Sequence, residues 1–173
     1  MPSKRCRYIL NMEELRELVA KHRFTRNCFR TNTDVREENR VKDKNGRTWL
    51  ALGPYSNTVR GDHPIVECAR KHVECNAVCL NRRRADSPTL PMGPHRDSKN
   101  LEGGSYVMFW GCPEGEGALV VEDGSRYVEQ NKLHFCGDLS KKLHWVEGHS
   151  DGTRYSLVAF MAKPQKKTQK KTQ

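Results

Sequence analysis

The sequence predicts an α+β domain that is mainly β, with two supporting N-terminal helices and a C-terminal half built as a β-sandwich or jelly roll. Three observations predict it. From Asn76 onward, short apolar segments (AVCLN, GSYVMFWG, ALVVEDG, NKLHF, KLHWVEG and RYSLVAFM) alternate with Gly and charged turn residues. Before that point, two stretches carry helical signals. The chain's 173 residues suit one domain with a real core and are too few for two of ordinary size.

Taken in order, Met12, Leu15, Leu18 and Val19 recur at helical spacing within MEELRELVAKH, with Asn11 as N-cap and Glu14 completing a capping-box variant. Residues 25 to 47 are charged and almost without large apolar side chains, so they read as a long loop or mobile insertion. Trp49-Leu-Ala-Leu52 reads as a short strand. After the breaks at Gly53-Pro54 and Gly61, Asp62 is expected to cap a helix from about His63 to Cys75, with Pro64 in its first turn. The domain is thus expected to span 1–162, helical over 1–75 and β over 76–162. The lysine-rich KKTQKKTQ end, within 163–173, reads as a disordered basic tail with nothing apolar to bury.

Composition narrows the function classes. Hydrophobic residues make up 35% and charged residues 30%, and mean hydropathy is -0.86, which describes a soluble globular protein. No apolar run approaches a membrane span and the N-terminus lacks a secretory signal, so an intracellular or nuclear compartment is expected. The seven cysteines are odd in number and without paired spacing, and read mostly as small buried hydrophobes. Cys68, Cys75 and Cys79 match no standard zinc spacing. The formal charge of +10 favours polyanionic partners, although part of it lies in the tail. A second cluster, Arg82-Arg83-Arg84, precedes the Pro-containing loop that leads to residues 94–100.

That stretch, PHRDSKN, holds the first chemical signal. In extended chain, His95 and Asp97 point to one face while Arg96 points away, so an imidazole and a carboxylate are offered to one cation. Two histidines and one carboxylate on one face form the usual non-haem Fe(II) arrangement, so a second histidine is required. His149 sits in the glycine-bounded turn EGHSDG, where its geometry would be loose, and His134 has no positional support. His144 lies in a strand-like run. Beyond it, Arg154 and Ser156 share a face by strand alternation and could together grip a carboxylate.

His95-x-Asp97, then His144, then Gly152-Thr-Arg154-Tyr-Ser156-Leu resembles the signature of the Fe(II)/2-oxoglutarate-dependent dioxygenases, a likeness covering about residues 76 to 162. Within that superfamily, His-Arg-Asp-Ser-Lys-Asn resembles the His-x-Asp-x-x-Asn form of the TET/JBP-like group, with Asn100 as the added match. Asn81 and the Gly103-Gly104-Ser105 turn are consistent with that group. The resemblance implies a double-stranded β-helix (jelly roll) fold and an Fe(II) cofactor on His95, Asp97 and His144. It further implies a 2-oxoglutarate cosubstrate bound by Arg154 and Ser156, with Asn100 counted among the cofactor-binding residues.

The activity so implied consumes dioxygen and 2-oxoglutarate, releases succinate and carbon dioxide, and hydroxylates a C–H bond, first of all the methyl group of a 5-methylpyrimidine in DNA (or RNA), by a monomer. A flipped base would need aromatic partners, for which Tyr106, Trp110 and Trp145 are candidates, core packing being the competing role. Arg82, Arg83, Arg84 and Lys99 are candidates for phosphate contact. The alternative enzyme is a prolyl-type protein hydroxylase using the same metal site. The alternative outside enzymes is a jelly-roll binding module whose His and Asp are structural.

Overall fold

Helix α1, Lys4–Lys21, carries Met12, Leu15 and Val19 into the protein interior, as their spacing predicts. In this computed structural model the described residues are 4–24, 40–42, 48–50, 55–86, 93–97, 100–101 and 103–164. The side chains of 4–11, 40–42, 48–50 and 55 are excepted. Asn11 lies inside α1 and does not cap it. The helical stretch extends upstream through RCRYIL, and an interior Asn costs only about 0.7 kcal/mol relative to Ala.

The 25–47 stretch, expected to be a loop, contains a strand among its described residues. β1 (Arg40–Lys42) pairs antiparallel with β2 (Thr48–Leu50). The latter falls where a short strand was expected. Next come β3, Tyr55–Arg60, and α2, Pro64–Arg70. The α2 cap is His63 instead of Asp62: its Nδ1 accepts a hydrogen bond from the Ile65 backbone N–H at 3.2 Å. Pro64 occupies the first turn as predicted, but the helix stops at Arg70, five residues short of the expected Cys75.

The remaining strands are β4 (Ala77–Arg84), β5 (Tyr106–Trp110), β6 (Leu119–Val121), β7 (Arg126–Tyr127), β8 (His134–Phe135), β9 (His144–Val146) and β10 (Thr153–Phe160). Among the described residues the architecture is mainly β with two helices. One five-stranded antiparallel sheet has the order β3-β4-β10-β5-β8, and a three-stranded one has the order β7-β6-β9. No helix of the described residues is long and apolar enough to cross a membrane.

Strand alternation divides the large sheet into two faces. Val78, Leu80, Met108, Leu157 and Ala159 pack against Met12, Leu15, Val19, Ile65 and Val66 of the helices. The opposite face, carrying Val107 and Val158, meets Leu119, Val121 and Val146 of the small sheet, together with Cys136 and Leu139. Burying a Val or Leu side chain is worth roughly 1.5–3 kcal/mol, so two such layers fix which face of β4 and β10 looks inward. Cys68 and Cys75 are buried in the helix-side core, as their reading as hydrophobes requires. They form no candidate metal group with Cys79 among the described residues.

Candidate metal centre and adjoining cleft

The inward face between the two sheets holds polar side chains that burial would ordinarily exclude. His95, Asp97, Asn100, His144, His149, Arg154 and Ser156 are all buried. Buried polar groups are retained when partnered or when used, so each has to be accounted for.

His95 and His144 meet because their backbones pair. The N–H of each donates to the C=O of the other at 3.0 Å, forming an isolated antiparallel bridge that extends the small sheet by one residue beyond β9. Residues directly opposite in such a bridge project to the same face, so the two imidazoles lie side by side with centroids 4.3 Å apart. Two residues on, Asp97 is anchored by its own N–H donating to the Leu139 C=O at 2.9 Å. One carboxylate oxygen, Oδ1, then lies 3.6 Å from Nε2 of His95 and 3.6 Å from Nε2 of His144.

The far side of each ring decides what the near side can do. His95 Nδ1 lies 2.7 Å from the Gly93 carbonyl and His144 Nδ1 lies 3.1 Å from the Lys142 carbonyl. A carbonyl only accepts, so in the neutral rings both Nδ1 atoms carry the proton and both Nε2 atoms present bare lone pairs toward Asp97. Histidines that ligate metals are oriented by such backbone bonds. Ligand atoms from the three residues lie within 4.8 Å of one another, a group able to hold one ion. Two imidazole nitrogens and one carboxylate oxygen suit Fe(II) among first-row metals. Asn100 stands behind the carboxylate, its Nδ2 donating to Asp97 Oδ2 at 3.3 Å and to Ser105 Oγ at 3.1 Å.

His144 and Val146 share the inward face of β9, and Val146 begins a second feature. A small cleft is lined by Asn81, Arg83, Val146, Glu147, His149, Arg154 and Ser156. Two residues along a strand are separated by roughly 7 Å, so cleft and metal group adjoin. Arg154 is buried at its floor, with its guanidinium carbon 4.6 Å from the centroid of the Phe109 ring and its Nε donating to the Gly117 carbonyl at 2.9 Å. Burial, then the neighbouring Arg83, depress its pKa to about 10. Among the described residues it has no carboxylate ion-pair partner.

Against these positions stand the comparisons with known proteins. No family model matches the chain and no curated protein matches it. Part of the chain is similar to a solved structure, that of NgTET1 in complex with 5mC DNA. The similarity is 22% in sequence with a TM-score of 0.44, over 51% of this chain and 34% of that one.

The structure therefore brings together His95, Asp97 and His144, and separately Arg154 and Ser156. Asn100 lies behind Asp97 and not in the cleft, so it supports the carboxylate. The aromatic candidates resolve toward packing. Tyr106 and Trp110 lie against the helix-side core, Trp110 stacked on Tyr155 at 5.7 Å. Trp145 alternates away from His144 along β9.

The three arginines of β4 also separate. Arg82 covers the Phe24 ring, Arg84 pairs with Asp86 at 2.8 Å, and only Arg83 turns to the cleft. Lys99 lies outside the described residues. His149, set aside as loosely held, is buried in the cleft. His134 is half-buried and bonds the Glu129 carbonyl through Nε2 at 2.7 Å.

Proposed function

We propose that this chain is an Fe(II)/2-oxoglutarate-dependent dioxygenase that hydroxylates a C–H bond, with the methyl group of a 5-methylpyrimidine base in DNA as the first substrate class. The observation that carries the chemistry is the His95–Asp97–His144 group, its two imidazoles locked with Nε2 bare, adjoining a buried arginine that lacks an acid partner among the described residues. On this reading the two facing antiparallel sheets are the halves of a jelly roll.

His95, Asp97 and His144 would hold the iron on one face, leaving the opposite positions free for cosubstrate and oxygen. When bound, the iron and 2-oxoglutarate supply the oxidising power that inserts one oxygen atom of O2 into the substrate C–H bond. The chain's own work is orientation and exclusion. Arg154 and Ser156 hold the distal carboxylate by charge-assisted hydrogen bonds in a site closed from bulk water. Val107, Leu119, Val121 and Val146 keep the interior beside the metal group apolar. The choice of substrate rests on the His-x-Asp-x-x-Asn sequence and the basic net charge.

The test is incubation of the purified protein with Fe(II), 2-oxoglutarate and either methylated DNA or proline-containing peptides, followed by mass spectrometry. An added oxygen atom on the methylated base supports the reading. Oxidation of peptide alone would replace the substrate class and keep the chemistry. Absence of product and of succinate, in a protein that binds no iron, would end it.

A further inference from the structure

Two Asp-Gly pairs lie among the described residues, Asp123-Gly124 and Asp151-Gly152. Glycine puts no side chain beside the peptide nitrogen that follows the aspartate, so that nitrogen can approach the side-chain carboxyl carbon closely. The hydrogen bonds around each pair decide whether it does, and they differ. At the first pair the Gly124 N–H is engaged by the Val121 carbonyl at 2.9 Å. The Asp123 carboxylate is drawn away, Oδ2 accepting from Lys142 Nζ at 2.6 Å and Oδ1 from the Ser125 N–H at 3.0 Å. Those bonds, the lysine's first, hold the Asp123 carboxyl well below the usual carboxylate range, so it stays ionised and is a poor acyl acceptor.

At the second pair the nitrogen and the carboxylate meet. The Gly152 N–H donates to Oδ1 of Asp151, the residue just before it, at 2.7 Å. That contact brings the nitrogen near the roughly 3–3.5 Å from the carboxyl carbon at which reacting atoms are poised. The frame around the pair is fixed on both sides. Ser150 donates its N–H and its hydroxyl to Glu116 at 2.5 and 2.8 Å, and the Gly152 carbonyl accepts from the Ala85 N–H at 3.0 Å. Asp151 and Gly152 are themselves exposed, so water reaches them.

We propose that Asp151 is a site of spontaneous backbone modification, where the Gly152 nitrogen closes on the Asp151 side chain to give a succinimide that water reopens as isoaspartate. In the first step the bond from the Gly152 nitrogen to Asp151 Cγ forms, and the amide proton and the carboxyl hydroxyl depart together as water. In the second, water adds to the Asp151 main-chain carbonyl carbon and breaks its bond to the Gly152 nitrogen, which stays on Cγ. Composition is unchanged and no oxidant or cofactor takes part, so the site does not depend on the dioxygenase reading. The product lengthens the main chain by one atom at a turn without slack. Gly152 has φ +77°, and a Cβ built there would lie 2.5 Å from the Gly111 carbonyl oxygen. His149 has a hydrogen bond at the Gly152 backbone, and Arg154 follows two residues on, so the longer turn displaces one end of the cleft.

The experiment is to hold the full chain at neutral pH and body temperature for several weeks, folded in buffer and unfolded in guanidinium chloride, and to map isoaspartate by mass spectrometry of tryptic peptides. Trypsin places the two sites in separate peptides, residues 143–154 and 100–126. In the folded chain isoaspartate at position 151 should exceed that at position 123 by about tenfold. In the unfolded chain the two should agree within about twofold, because the bonds that distinguish them are gone. Asp151→Glu, whose longer side chain must close a six-membered ring, should leave the 143–154 peptide unmodified. In the isomerised fraction, separated by chromatography, the NMR signals of the His149 ring should shift from those of fresh protein.

Equal modification of the two sites in the folded chain, or modification of Asp151 only after denaturation, overturns the inference. His149 signals unmoved in the isomerised fraction would overturn the displacement of the cleft.

Discussion

Asn100 holds Asp97 from behind: its amide donates to Oδ2, the oxygen turned away from the histidines, while Oδ1 stays 3.6 Å from both Nε2 atoms. The same amide is fixed by Ser105 Oγ, and the Asn100 backbone is bridged to Ala162. One side chain thus sets which carboxylate oxygen faces the imidazoles.

Asn100→Ala is therefore expected to weaken Mn(II) binding about 10–100-fold without removing a ligand. Because it removes a hydrogen bond to a buried carboxylate, it should also cost about 1–3 kcal/mol of stability. Calorimetry and urea denaturation measure the two separately. Unchanged metal affinity would mean that Asp97 needs no such support.

His144→Ala should abolish the thermal stabilisation that Mn(II) or Fe(II) gives the wild-type chain. A ligand binding only the folded state at one hundred times its dissociation constant adds about 2.7 kcal/mol, enough to read in a melting curve. Equal metal-induced shifts in wild type and variant would remove His144 from the coordination group.

Gly117 has φ +67°, and a Cβ built there would lie 2.9 Å from Cys112 Sγ and 3.1 Å from Arg154 Nε. Gly117→Ala meets both a left-handed backbone cost of about 1–2 kcal/mol and a collision with the arginine it supports. The expected outcome is lower stability together with weaker 2-oxoglutarate binding, whereas Gly115→Ala, also at positive φ but in open space, should affect stability alone. Wild-type cosubstrate affinity in Gly117→Ala would show that Arg154 does not depend on this turn.

His149 has its pKa lowered by burial first, then by Arg83 and Arg154, with a hydrogen bond at the Gly152 backbone and then Glu116 acting in the other direction. His72 and His63 are likewise lowered, chiefly by burial. The folded protein thus binds protons less readily than the unfolded chain, so stability is full above the ordinary histidine pKa of about 6.5 and falls as pH drops below it. The urea midpoint should be lower at pH 5.5 than at pH 7.5, and His149→Asn should reduce the difference. A drop of equal size in the variant would assign it to other groups.

Much of the β half was legible because its segments are apolar enough to require burial and are cut by turn residues. The order His95, Asp97, His144, Arg154 was legible too, since strand alternation alone puts i and i+2 on one face. Strand β3 was not: YSNTVR has one large aliphatic residue, and its pairing with β4 comes from the partner's free edge. The cleft position of Arg83 was hidden by its charged neighbours, though Asn81 and Arg83 show the same i, i+2 spacing as Arg154 and Ser156. His149 could not be read locally, because its position depends on a distant contact, Gly117 N–H to the Gly148 carbonyl at 3.2 Å.

Leu15 is fully buried where α1 meets the large sheet. Leu15→Ala should cost about 2–5 kcal/mol, measured by denaturation, although the residue is on the face away from the metal group. A loss under about 1 kcal/mol would mean that the helix contributes little to holding the sheet.

The bridge between His95 and His144 has one more implication. The two halves of the coordination group come from segments far apart in the chain, and the loop between them contains β5 through β8. A nascent or denatured chain therefore owns no chelating unit, only scattered donors. On the proposed reading, metal capture follows closure of the interior between the two sheets, and the ion would act as a late rivet: chelators should accelerate global unraveling of the loaded protein while leaving the apo form's own unfolding rate untouched.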